Sequence, residues 1–125
     1  MRIALALGVI AGLSSLSHAA QTIATSAIFG ATTQHAAQCV IGNPSTRTIA
    51  VQVSIVDESG NPLQVSSTCN EPIPAGFNCS VFANSIPSGA AVACSATASG
   101  SIDKLRGTFT LSDGNAVALR SVELQ

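Results

Sequence analysis

Between Arg47 and Asp57 the chain alternates with a period of two. Ile49, Val51, Val53 and Ile55 fall on one side, and Thr48, Ala50, Gln52, Ser54 and Val56 on the other. A helix would scatter these apolar positions around its axis, whereas a strand lines them up on one face. All four are β-branched, which favours extended backbone further. The run commits this part of the chain to a sheet, and Glu58-Ser59-Gly60-Asn61-Pro62 ends it in a turn.

The same period recurs towards the C-terminus. Lys104–Leu111 places Leu105, Gly107, Phe109 and Leu111 on one face. Ser112-Asp113-Gly114-Asn115 then turns with Asp-Gly at its centre, and Ala116–Ser121 follows with Val117 and Leu119. Two alternating runs around such a turn predict a hairpin. Weaker strands are expected over Thr25–Phe29, Ala36–Ile41, Leu63–Thr68, Phe77–Ala83 and Ala90–Ala98. In Phe77–Ala83 the period groups Phe77, Cys79, Val81 and Ala83 and leaves Phe82 facing outward. Turn signals at roughly 8–12-residue intervals are the rhythm of an all-β sandwich.

Residues 1–19 read as an address rather than as part of the fold. Arg2 precedes an apolar run from Ile3 to Leu13, and Ser17-His18-Ala19 supplies small residues at a cleavage site. The run is too short for the roughly 20 residues of a membrane span. Cleavage after Ala19 leaves residues 20–125 as one exported domain, periplasmic or extracellular.

Cys39, Cys69, Cys79 and Cys94 are an even set in an exported chain, which implies two disulfides. No Cys-x-x-Cys occurs, so the set does not have metal-ligand spacing. Three pairings are possible. Pro72, Pro74 and Gly76 lie between Cys69 and Cys79 and turn the chain back on itself. That favours Cys69–Cys79 as a local staple and leaves Cys39–Cys94 as the long-range bond.

Cysteines on an early and a late strand resemble the inter-sheet disulfide of immunoglobulin-like sandwiches. The chain is generally similar in this respect to small secreted bacterial sandwich proteins of that architecture. The resemblance implies an antiparallel sandwich of about seven to eight strands. It departs from antibody domains in lacking a Trp between the cysteines and a Tyr before Cys94. It carries no catalytic residues, because fold alone does not supply function.

Composition narrows the chemistry. Charged residues make up 9% of the chain, against roughly 25% in ordinary domains. Trp and Tyr are absent. Phosphate-backbone neutralisation and base stacking both lack their residues, so nucleic acid is not an expected partner. Past the leader, His35 is the only histidine, and no Gly-x-Ser-x-Gly elbow accompanies it. Asp57, Glu58, Glu71 and Asp113 fall at turns, where carboxylates serve turn geometry. Asp57-Glu58-Ser59-Gly60-Asn61 lacks the spacing of a calcium loop. Asn78-Cys79-Ser80 matches a glycosylation sequon but falls within an expected strand.

No catalytic centre, cofactor or metal site is therefore expected. The leading expectation is a non-catalytic protein-binding or surface module using sheet edges and loops, with an exchangeable N-terminal strand in Gln21–Thr33. The alternative is an inhibitor of a secreted hydrolase, with the Cys69–Cys79 bond bracing a Pro72-Ile73-Pro74 loop. Pro72, Ile73, Pro74 and Phe82 are the candidate contact residues.

Overall fold

The computed structural model describes residues 21–24, 28–29, 33–98, 105–115 and 117–125. Nine strand segments appear among them: β1 (Gln21–Ala24), β2 (Ile28–Phe29), β3 (Gln34–Gly42), β4 (Val51–Asp57), β5 (Ser66–Ser67), β6 (Asn78–Ala83), β7 (Ala91–Ala98), β8 (Arg106–Asp113) and β9 (Ala118–Glu123). All pairings between them are antiparallel. One sheet runs β5-β6-β3-β8-β9. In the other, β7 is central, with β4 on one side and both β1 and β2 on the other. From Ala24 to Ile28 that edge advances four residues while its partners on β7, Ser95 to Val92, advance three.

The alternation read from sequence is the burial pattern observed. Ile55, Phe109 and Leu111 are wholly buried, as are Ala37, Cys39, Ile41 and Val81 from the five-stranded sheet and Cys94 from β7. These side chains meet between the sheets in one core. Both expected disulfides are present. Cys39–Cys94 joins β3 to β7 across the sandwich, with 6.1 Å between Cα atoms. Cys69–Cys79 closes the loop before β6, with 5.0 Å. Central strand β7 carries almost no bulk, and its neighbours supply it: Ile23 on β1 and Val53 on β4 both stand opposite Ala96. On β8, Gly107 is where the core leaves no room. A Cβ there would come within 2.9 Å of Ile41 Cδ1 and 3.0 Å of Leu124 Cδ1.

Of the opening strand expected over Thr25–Phe29, Ile28–Phe29 is strand and 25–27 lie outside the described residues; Gln21–Ala24 pairs as well. Three expectations need correction. Leu63–Thr68 contributes only Ser66–Ser67, because Leu63 is diverted to donate its N–H to the Ile55 carbonyl. Phe77 does not join Cys79 in the core. The strand begins at Asn78, and Phe77 stays 63% exposed at the sandwich end. Val117 is likewise 57% exposed, because the last strand begins after it; Val122 and Leu124 carry the apolar side of that segment instead.

Candidate functional site

The Cys69–Cys79 loop is tied to the body of the sandwich. Ile73 exchanges both backbone hydrogen bonds with Ile49, at 2.8 and 3.0 Å. Its side chain is buried at 2% exposure. What the loop offers outward is Glu71, Pro72 and Pro74, with Ile73 serving as its anchor. Phe82 stands on the outer face of β6 at 39% exposure, opposite Gln38 on β3 and Ser66 on β5. The candidate contact residues therefore do not form one patch: Ile73 is interior, and Phe82 belongs to a sheet face rather than to the loop.

Asn43 organises this end, from the Gly42-Asn43-Pro44-Ser45 turn at the end of β3. It is 1% exposed. Its Nδ2 donates to the carbonyls of Arg47 (2.7 Å) and Ile73 (2.9 Å). Its Oδ1 accepts from the backbone N–H and the hydroxyl of Ser45. Its own N–H donates to Phe77, and its carbonyl accepts from Gly76. A buried amide with both ends satisfied fixes the loops around it. The dipeptide Asn43-Pro44 signals a turn, but nothing in it names the Ile73 carbonyl thirty residues away.

Beside this hub two shallow clefts of about 370 Å³ and 310 Å³ share Gly42, Asn78 and Arg106. Gly42 keeps the floor open, since a Cβ there would lie 2.8 Å from Asn78 Oδ1. Thr108 and Glu123 close the larger cleft. Its donors and acceptors can hold a polar group. His35 is an exposed residue of β3 at the other end, whose carbonyl accepts from Ile86. Its neighbour Gln34 is buried and donates Nε2 to the carbonyls of Ala90 (2.9 Å) and Pro87. Asp57 Oδ1 accepts from the N–H groups of Ser59 and Asn61, and Asp113 Oδ1 from those of Asn115 and Val117. Both carboxylates shape turns. Asp103 lies outside the described residues. Among the described residues no three of His, Cys, Asp and Glu come together, and no helix is long and apolar enough to cross a membrane.

The sheet edges differ from one another in what faces outward. On β4, the Ile55 carbonyl and the Asp57 N–H are already bonded to Leu63 and Asn61. β5 is only two residues long. β9 has six residues, and its register fixes which backbone groups turn outward. Leu124 donates its N–H to the Gly107 carbonyl at 2.9 Å. In an antiparallel ladder bonded and non-bonded pairs alternate. The pairs Thr108–Glu123 and Thr110–Ser121 are thus non-bonded ones. Ser121 and Glu123 therefore direct both N–H and C=O away from β8, along the free edge.

Comparison with protein families, curated proteins and solved structures finds no match.

Proposed function

We propose that the protein is an exported, non-catalytic β-sandwich that binds a protein partner by strand addition along the β9 edge. The observation that carries this reading is the outward orientation of the Ser121 and Glu123 backbone groups on a six-residue edge strand. Such a row is a template for an incoming strand, which gains main-chain hydrogen bonds from it. Export is supported by two disulfides, which persist in oxidising compartments, together with the leader-like residues 1–19.

The architecture is best read as a variant of the immunoglobulin order. Counting β1 and β2 as one edge strand, the pairings of second with fifth, fifth with fourth and third with sixth match that order. The disulfide between second and sixth strands matches as well. The first and seventh strands have exchanged places: the first lies beside β7 and the seventh, β8, beside β3. That exchange lets a further strand, β9, extend the larger sheet and become its edge.

The test is capture of a partner from the surface and secreted proteins of the protein's own cells. A Ser121→Pro variant removes one outward N–H and leaves the β8–β9 backbone ladder intact, losing on that side only the exposed Ser121–Thr110 hydroxyl contact at 3.1 Å. A protein retained by the wild type and lost with the variant supports strand addition. Equal retention by both overturns it. N-terminal sequencing that finds the chain starting at Ala20 supports export, and an intact Met1 overturns it.

A further inference from the structure

We infer that the strand added to β9 is β9 of a second copy of this chain, paired antiparallel about a two-fold axis at Val122. The inference rests on the strand-addition reading and names its partner. A two-fold axis that pairs two antiparallel edges stands perpendicular to the sheet, so each side chain stays on its own face. Only residues of the same face can then stand opposite one another. The outward backbone groups belong to Ser121 and Glu123, so these must form the bonded pairs of the new ladder.

Three two-fold registers satisfy that condition. Centring on Glu123 sets two carboxylates directly opposite, which is destabilising. Centring on Ser121 brings Glu123 against Leu119, where the β8–β9 register shifts between Leu111 and Ser112. Centring on Val122 uses both outward residues of each copy. Ser121 faces Glu123 of the second copy on the solvent side, so a hydroxyl meets a carboxylate. On the core side the half-buried Val122, which packs against the core of its own chain, meets its counterpart. Arg120 comes opposite Leu124 of the second copy. Its aliphatic stem covers the leucine while the guanidinium stays in water. The edge is thus complementary to itself in one register, and the two five-stranded sheets become one continuous sheet.

The test is the mass of the purified protein by size-exclusion chromatography with light scattering, with Val122→Cys as a covalent trap. Val122 occupies a non-bonded position towards the second copy, where cross-strand Cα atoms approach most closely. The expected result is a dimer that dissociates on dilution. Mild oxidation of Val122→Cys is expected to give a covalent dimer linked at residue 122 by peptide mapping. Ser121→Cys, which faces Glu123 rather than itself, is expected to give none. Ser121→Pro is expected to run as a monomer. A strict monomer at the highest soluble concentration overturns the inference, as does a dimer that survives Ser121→Pro or resists cross-linking at residue 122. A monomer that captures a different protein through Ser121 overturns the inference and leaves the strand-addition reading standing.

Discussion

On the flank formed by β4 and the Cys69–Cys79 loop, turns take up the backbone groups of the edge; on the flank formed by β9, a ladder row points into solvent. The first flank is closed by the Cys69–Cys79 disulfide and by hydrogen bonds within the chain: Ile49 with Ile73, Ile55 with Leu63, Asp57 with Asn61, and the Asn43 amide between two loops. The second has a charged residue, Arg120, opposite the buried Leu111 at its rim. A charge so placed discourages indiscriminate pairing without blocking the backbone row. An edge sealed by its own chain contributes stability, and an edge left as a ladder contributes recognition. One sandwich can do both only if the two edges are on different flanks.

Substitutions should grade along this contrast. The largest loss is expected from Cys39→Ala with Cys94→Ala, which frees both flanks at once. The span of 55 residues implies about 4 kcal/mol in the chain-entropy picture, read by urea unfolding. Cys69→Ala with Cys79→Ala, across 10 residues, is expected to cost about 3 kcal/mol and to expose the Ile73 anchor to proteolysis. Asn43→Ala removes the amide that serves the Arg47 and Ile73 carbonyls, and is expected to cost about 2 kcal/mol. Ser121→Pro on the open flank is expected to cost less than about 1 kcal/mol, since its N–H points to solvent. Urea midpoints that place Ser121→Pro below Asn43→Ala would break the contrast. The two disulfide deletions are expected to raise the m-value, because they loosen the unfolded chain, whereas Asn43→Ala and Ser121→Pro are expected to leave it unchanged.

Much of the fold was legible in the chain because sheet periodicity is local. Ile49 to Ile55 and Leu105 to Leu111 declare their faces within eight residues, and the prolines between Cys69 and Cys79 announce the turn that closes that bond. The edges were less legible. Gln21–Ala24 carries one apolar side chain of any size, so its place beside β7 depends on Ala96 and Val53, which lie far along the chain. Asn43 and Gln34 looked like polar punctuation, and only the carbonyls they reach in three dimensions make them interior. The β9 row was illegible for a different reason. Which backbone groups point outward depends on the parity of the ladder, set by the Leu124–Gly107 bond and not by any side chain.

The partnership of Gln21 with Ala98 also has a consequence in time. A chain delivered from its N-terminus presents β1 when none of β7 has yet emerged. The first strand must wait, unpaired, until residues 25–98 have followed it. Long-range β pairing is slow because loop closure precedes any gain from contact. The seam between β1 and β7 is therefore placed to close late, after the segment bearing Cys94 has arrived within reach of Cys39.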